Sequence, residues 1–136
     1  MNYSELILAA ASVRENAYAP YSGFKVGAAL LGKSGKVYVG CNVENASFSA
    51  TNCAERTAFF TAVAAGERDF DAIAIVGGKD GGEIGVCAPC GVCRQVMAEF
   101  CQGDFRIVLG SPEKFAVYTL AEILPLAFLS ENLSEN

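Results

Sequence analysis

The chain has 136 residues, 52% of them hydrophobic, and a formal net charge of −5. This length accommodates one domain with one core and is too short for two ordinary domains. Ten Lys and Arg residues against fifteen Asp and Glu residues give no basic surface for a phosphate backbone, so we expect a small-molecule partner and no nucleic-acid polymer. The first residues lack the charged and apolar regions of a signal peptide, and no apolar run approaches the ~20 residues of a membrane span. We therefore expect a cytoplasmic protein that does not contact a membrane.

The first predicted elements are a helix and a hairpin. Apolar residues at helical spacing predict a helix from Ser4, the expected N-cap, to about Tyr18, and Pro20 stops it. Two β-like runs at 24–31 and 36–41 follow, joined by a turn that begins and ends in glycine. They predict an antiparallel hairpin.

Helices and strands alternate in the rest of the chain. After a polar loop at 42–52, an alanine-rich segment predicts a helix at 54–65, opened by a capping box of Asn52 with Glu55 and stopped by Gly66. Further predicted elements are a strand at 71–76, a glycine-rich loop at 77–85, a helix at 91–101, strands at 106–109 and 115–118, a short helix at 120–124 and a frayed tail at about 130–136. This order predicts an α/β sandwich whose later strands are joined by helical crossovers.

Three cysteines and a glutamate form a pattern typical of a metal site. Cys53 precedes Glu55 by two residues, and Cys90 and Cys93 form a C-x-x-C pair after Pro89. Three protein ligands leave the fourth position of a tetrahedral zinc open for water, which is the arrangement of a catalytic site. Because the chain has no histidine, a transition-metal site must be built from thiolates, with carboxylates as the other available ligands, and a thiolate-rich tetrahedral site selects zinc over magnesium or calcium.

Both halves of the motif fall at predicted helix starts. Free N–H groups and the helix dipole stabilise thiolates there and lower their pKa. Zinc with three thiolates carries a formal charge of −1 and is a poor Lewis acid. We expect the two helix N-termini, helped by Arg56 and Arg94, to offset that charge.

Other interpretations of the same residues stay open. Cys87 could supply a fourth sulfur and close a structural zinc site, which would make the chain a non-catalytic module. Cys90 and Cys93 could form a redox pair. Glu55 could serve only in the capping box with Asn52.

Several segments together resemble the zinc-dependent cytidine deaminases, in particular the small homotetrameric class with an all-cysteine site. The matching segments are Tyr18–Ser22 with Phe24, Val26–Leu30, Gly40–Ala46, Cys53–Arg56, Pro89–Gln95, and Leu124–Pro125 with Phe128. They extend over nearly the full length of the chain.

The resemblance implies a fold and a reaction. The fold is a three-layer α/β/α sandwich with a mixed five-stranded sheet, in a homotetramer with one Zn²⁺ per subunit. The reaction is hydrolysis of cytidine and 2′-deoxycytidine to the uridine products and ammonia, in pyrimidine salvage. Cys53, Cys90 and Cys93 are then the zinc ligands, and Glu55 is the general acid and base.

The resemblance also implies the substrate contacts. Asn42 and Glu44 contact the ribose hydroxyls, Phe24 contacts the pyrimidine ring, and backbone groups near Ala54 and Ala88 read the base edge. Asn and Glu two residues apart at an extended strand end point the same way, which suits vicinal hydroxyls.

The resemblance also implies that Phe128 reaches the pocket of a neighbouring subunit. The sequence departs from the family pattern at two places: Phe48 stands where relatives often carry a tyrosine, so a hydroxyl contact from that loop is absent, and Cys87 adds a thiol three residues before Cys90. A deaminase of another cytosine-bearing compound, of the blasticidin S type, is the main enzymatic alternative. The acidic balance of the chain disfavours a third option, editing of RNA or DNA.

Overall fold

The computed structural model describes residues 1–133, which form a five-stranded sheet with helices on both faces. The elements are α1 (Tyr3–Arg14), β1 (Phe24–Gly32), β2 (Val37–Cys41), α2 (Ala54–Ala64), β3 (Phe70–Lys79), α3 (Gly91–Phe100), β4 (Arg106–Gly110), β5 (Phe115–Thr119) and α4 (Leu120–Ile123). Two 3-10 helices span Phe48–Ala50 and Ser130–Leu133. The tail was predicted to fray from about residue 130, which is wrong for Ser130–Leu133 because they form the second of these helices; the rest of the tail, beyond residue 133, lies outside the described residues.

The sheet is mixed, as predicted. Its strand order is β2-β1-β3-β4-β5. β1 is antiparallel to both β2 and β3, β3 and β4 are parallel, and β4 and β5 are antiparallel. The predicted helical crossover is therefore right for β3 to β4, through α3. It is wrong for β4 to β5, which a short turn joins as a hairpin.

The core lies on both faces of the sheet because side chains alternate along each strand. In β3, Ile73 and Ile75 face the layer of α2 and α3, where they pack with Phe59 and Met97. The alternate residues of the same strand face α1. That second cluster contains Leu6, Ile7, Ala10, Ala29, Ala72, Ala74, Val76 and Val108. The resulting α/β/α layering confirms the predicted fold class.

α1 differs from its predicted bounds at both ends. The cap is Asn2, whose Oδ1 accepts a hydrogen bond from Glu5 N at 2.8 Å, so the prediction of Ser4 as the cap is wrong. The helix ends at Arg14, well before Pro20. Tyr18 N donates to Asn42 O at 3.0 Å and Tyr18 O accepts from Glu44 N at 2.8 Å. This pairing requires an extended backbone and overrides helical spacing.

The glycine-rich segment was predicted to be loop throughout, and the structure corrects its first part. Gly77 and Gly78 lie in β3 and pair with β1. Side chains are excluded there because the following loop folds back onto the strand. A Cβ on Gly77 would lie 2.6 Å from Cys87 Sγ, and one on Gly78 would lie 2.6 Å from Glu83 O. The same fold-back places Cys87, three residues before Cys90, against the end of β3.

Within residues 1–133, none of the helices combines the length and the apolarity that crossing a membrane requires.

Candidate active site

Three cysteine sulfurs converge at one end of the sheet. Cys53 Sγ lies 3.9 Å from Cys90 Sγ, and Cys90 Sγ lies 3.6 Å from Cys93 Sγ. All three sulfurs lie within 4.8 Å of one another. Four ligands at a Zn–S distance of about 2.3 Å in a tetrahedron stand about 3.8 Å apart, so the donor set and its spacing fit zinc.

Two helix N-termini position these thiols. Cys53 is the N-cap of α2, and Cys90 is the N-cap of α3, with Cys93 in the first turn. The predicted capping box of Asn52 with Glu55 is wrong, because Asn52 Nδ2 donates to Thr57 Oγ1 instead, at 3.0 Å. Neither Cys53 nor Cys90 makes a side-chain capping bond. The positive ends of both helix dipoles therefore lie at the cysteines.

A glycine in β2 sets the height of α2 above the sheet. A Cβ on Gly40 would lie 2.5 Å from Ala58 N and 2.6 Å from Ala54 O. Only glycine admits the backbone of α2 this close to β2. Since Cys53 begins that helix, the same contact places its sulfur.

The thiols of Cys53 and Cys93 differ in acidity. A hydrogen bond with Cys93, followed by interactions with Arg56, lowers the pKa of Cys53 to about 5. The pKa of Cys93 is raised, first by its hydrogen bond with Cys53 and then by burial. Of these two thiols, Cys53 is therefore the one that ionises first, and metal binding displaces the proton that Cys93 holds.

Glu55 lies in the first turn of α2 and is only 5% exposed. Burial, followed by the negative charge of Cys53, raises the pKa of this carboxyl to about 7 against opposing hydrogen bonds. A carboxyl group with such a pKa can both take up and release a proton near neutral pH.

The two arginines of the motif have different partners. Arg56 Nη2 donates to Cys53 Sγ at 3.2 Å, and its buried Nε has no hydrogen-bond partner among residues 1–133. Arg94 donates from Nε to Pro89 O at 2.8 Å and from Nη1 to Ile123 O at 2.6 Å. Arg56 thus faces the sulfurs directly, whereas Arg94 holds the backbone just before Cys90.

Cys87 does not belong to the sulfur cluster formed within the described part of the chain. Its sulfur packs where a side chain of Gly77 would lie, and Phe24 Cε1 is 3.2 Å from that same position. Burial, followed by the charges of Glu55 and Cys53, raises the pKa of Cys87 to about 11. Cys87 therefore contributes a neutral thiol close to Phe24, Glu55 and Cys53.

The side chain of Asn42 is buried and holds the start of β1. Its Oδ1 accepts from Val26 N and its Nδ2 donates to Phe24 O, both at 2.8 Å. The residue is 9% exposed. Each end of the amide keeps one further hydrogen-bonding position.

The carboxylate of Glu44 accepts hydrogen bonds from the loop before β1, a contact that was not predicted from the sequence. Tyr21 N and Ser22 N donate to its Oε1 at 2.9 and 3.1 Å, and Ser22 Oγ donates to its Oε2. These bonds lower the pKa of Glu44, with the Ser22 hydroxyl as the largest cause. Ser22 lies in a segment that matched the family, but nothing in the local pattern linked it to a residue so far along the chain.

The remaining predicted contacts lie around this end of the sheet. Phe24 opens β1 and is partly exposed, Ala54 is fully buried at the start of α2, and Ala88 is exposed in the loop before Cys90. Phe128 is 59% exposed, and its carbonyl accepts a hydrogen bond from Gln95 Nε2 at 2.7 Å.

A mixed sheet with a three-thiol cluster and a buried carboxyl at two helix starts defines a zinc-dependent deaminase. The family model described as the cytidine and deoxycytidylate deaminase zinc-binding region matches residues 1–110. The chain belongs to this family. The predicted family, the deaminase class of enzyme and zinc as the cofactor are thereby confirmed.

Individual relatives agree with this assignment. A cytidine deaminase of Sporosarcina psychrophila is 49% identical over 135 residues, which cover 98% of this chain and 96% of the relative. The crystal structure of a cytidine deaminase from Burkholderia pseudomallei superposes with a TM-score of 0.86 at 52% identity, covering 94% of this chain and all of the other. A blasticidin-S deaminase of Bacillus cereus is 31% identical over 107 residues, 76% of each chain.

Proposed function

We propose that the chain hydrolyses cytidine and 2′-deoxycytidine to uridine and 2′-deoxyuridine, with release of ammonia. One observation carries the proposal: three thiols spaced for zinc lie at two helix N-termini beside the buried carboxyl of Glu55. The relatives named cytidine deaminase support the choice of substrate.

Cys53, Cys90 and Cys93 would hold the zinc through their sulfurs. Bound there, zinc supplies a Lewis acid that lowers the pKa of a water molecule toward about 7. Arg56 donates a hydrogen bond to Cys53 Sγ and withdraws negative charge from the thiolates. Arg94 donates a hydrogen bond to Pro89 O. Its role is therefore to position the backbone before Cys90, not to contact a sulfur.

Glu55 would carry the protons of the reaction. It takes one proton from the attacking water and delivers it to the ring nitrogen of cytosine. It then passes the remaining proton of that water, from the newly bound hydroxyl, to the amino group. The C–N bond breaks, ammonia leaves, and the C–O bond becomes the carbonyl of uracil. Cytidine and water are consumed, uridine and ammonia are formed, and the carboxylate is regenerated.

The nucleoside would lie between the sheet end and the sulfurs. Phe24 packs against the pyrimidine ring, backbone groups of Ala54 and Ala88 bind the base edge, and Asn42 and Glu44 bind the ribose hydroxyls. The existing bonds of Asn42 and Glu44 hold them in place and leave further positions for hydroxyl groups.

We also propose that the enzyme is a homotetramer in which Phe128 enters the pocket of a neighbouring subunit. Large apolar side chains are exposed on the folded chain, notably Phe48 (82%), Leu126 (105%) and Phe128 (59%). Exposed apolar groups of this size favour burial in an interface. The whole chain, residues 1–136, would form one domain of a cytoplasmic pyrimidine-salvage enzyme that contacts neither a membrane nor a nucleic-acid polymer.

Conversion of cytidine tests the proposal. Zinc-loaded protein is mixed with cytidine, 2′-deoxycytidine or blasticidin S, and the change in ultraviolet absorbance is followed, with chelator-treated protein as the control. We expect turnover of both nucleosides that disappears with the metal. Folded, zinc-containing protein that leaves both nucleosides unchanged would reject the assignment.

A blasticidin S deaminase is the second candidate, favoured by the 31% identity to the Bacillus cereus enzyme. Replacement of the Glu44 carboxylate distinguishes the two candidate functions. If this carboxylate reads ribose, Glu44→Gln impairs turnover of nucleosides that carry a 3′-hydroxyl. Turnover confined to blasticidin S would instead select the second candidate.

A further inference from the structure

Arg14 is a buried cation that takes no part in the chemistry described above. It ends α1 and is 5% exposed. Its guanidinium donates to Lys25 O at 3.0 Å, to Gly78 O at 2.8 Å and to Lys79 O at 3.1 Å. Three carbonyls at the start of β1 and the end of β3 thus share one side chain.

Charge pairing does not explain this placement. The only salt bridge of Arg14 within residues 1–133 is with Glu15 at 3.4 Å, and the Glu15 side chain is 69% exposed. Pairs this exposed contribute little. A guanidinium is instead suited to bind several carbonyls at once, because its donors diverge in one plane, which the ammonium of lysine cannot reproduce.

One bond of Arg14 fixes a peptide unit that Asn42 also holds. The carbonyl of Lys25 and the N–H of Val26 belong to the same planar peptide. Arg14 Nε binds that carbonyl, and Asn42 Oδ1 accepts from that N–H at 2.8 Å. Asn42 Nδ2 holds the preceding carbonyl of Phe24. The backbone that presents Phe24 is therefore clamped from both sides.

A second bond fixes the loop that holds Glu44. Arg14 Nη2 binds Lys79 O, and the N–H of the same peptide unit, on Asp80, donates to Gly23 O at 2.7 Å. The ammonium of Lys79 donates to Ser22 O at 2.8 Å. Ser22 in turn holds the Glu44 carboxylate.

Close packing fixes Arg14 itself. A Cβ on Gly27 would lie 2.0 Å from Ala10 O and 2.6 Å from Arg14 N. The last turn of α1 therefore lies directly on β1, which leaves the guanidinium little freedom.

We infer that Arg14 is a positioning residue for nucleoside binding: through the Lys25–Val26 and Lys79–Asp80 peptides it sets Phe24 and the loop that orients Glu44. This inference rests on the proposed function. Arg14 makes no bond to the zinc-ligand segments of α2 or α3 among the described residues. It therefore governs substrate affinity and leaves the chemical step intact.

The test compares Arg14→Met and Arg14→Lys with Ile7→Ala. Ile7 is fully buried on the same helix and has no polar group, so its truncation destabilises α1 without removing any of these bonds. For each zinc-loaded protein we measure zinc content, the thermal midpoint, KM and kcat for cytidine, and the competitive inhibition constant of uridine. The uridine constant reports binding independently of chemistry.

We expect Arg14→Met to raise KM and the uridine constant about tenfold while kcat stays within about threefold, because displaced binding groups weaken substrate positioning. Arg14→Lys gives an intermediate increase, since one ammonium reaches fewer carbonyls. Ile7→Ala lowers the thermal midpoint and leaves KM unchanged. If Arg14→Met does not fold, the increase in Arg14→Lys decides the test.

An unchanged KM in the folded Arg14 variants, beside an active parent enzyme, overturns the inference. So does an equal rise in KM in Ile7→Ala, because general stability would then explain the effect. A zinc-loaded parent enzyme without activity on cytidine rejects the proposed function, and the inference falls with it.

Discussion

Gly40→Ala perturbs the link between the sheet and the zinc site. The added Cβ would lie 2.5 Å from Ala58 N and 2.6 Å from Ala54 O, whereas ordinary contacts of this kind begin at about 3.5 Å. The backbone of α2 must therefore move outward by about 1 Å. Metal–ligand distances tolerate only about 0.2 Å, and Cys53 begins this helix.

We expect Gly40→Ala to lower the free energy of unfolding by about 1–3 kcal/mol, the usual cost of overpacking, and to release zinc at least tenfold faster. Zinc release into excess chelator is followed with a colorimetric indicator, and unfolding with urea.

Two matched variants separate stability from metal binding. Gly27→Ala meets Ala10 O at 2.0 Å, so it strains α1, which carries no zinc ligand; Gly85→Ala meets nothing within 4 Å. We expect Gly27→Ala to be destabilised without faster zinc release, and Gly85→Ala to resemble the parent. Zinc release from Gly40→Ala at the parent rate would refute the reasoning that this contact places Cys53.

Three further predictions follow from the site. Arg56→Gln should reduce turnover by about 10–100-fold and by more than Arg94→Gln does, because Arg56 donates to a cysteine sulfur whereas Arg94 donates to backbone carbonyls; steady-state assays compare them, and equal losses would contradict this difference. Cys87→Ala should retain one zinc per chain by elemental analysis, because Cys87 lies outside the sulfur cluster of residues 1–133; loss of zinc would instead support a structural site in which Cys87 is the fourth ligand. Partial burial raises the pKa of Cys101 to about 12, so the thiol stays protonated near neutral pH; mass spectrometry after brief iodoacetamide treatment at pH 8 should find Cys101 unmodified, and rapid alkylation would contradict the raised pKa.

The sequence patterns predicted the elements that depend on local residues. The alanine-rich helix, the C-x-x-C helix and the first hairpin lie close to their predicted bounds, because periodicity and glycine positions act over a few residues. The metal motif could also be predicted, because it depends on the residue types of the ligands and on their spacing in the sequence.

Features that depend on contacts between distant segments were missed. α1 ends early because Tyr18 pairs with Asn42 and Glu44, and β3 extends into the glycines because β1 lies beside it. The hold of Ser22 on Glu44 and the bonds of Arg14 join segments that are far apart in sequence. No local propensity encodes such pairs.

Replacement of Glu55 by glutamine tests the central claim most directly, because it keeps the size of the side chain and removes its ability to exchange protons. Zinc content and cytidine turnover are measured on the same preparation of Glu55→Gln and of the parent enzyme. We predict one zinc per chain in both and a turnover at least about 10²–10⁴-fold lower in the variant, the contribution of general acid–base catalysis. Turnover near the parent value, with zinc in place, would contradict the account.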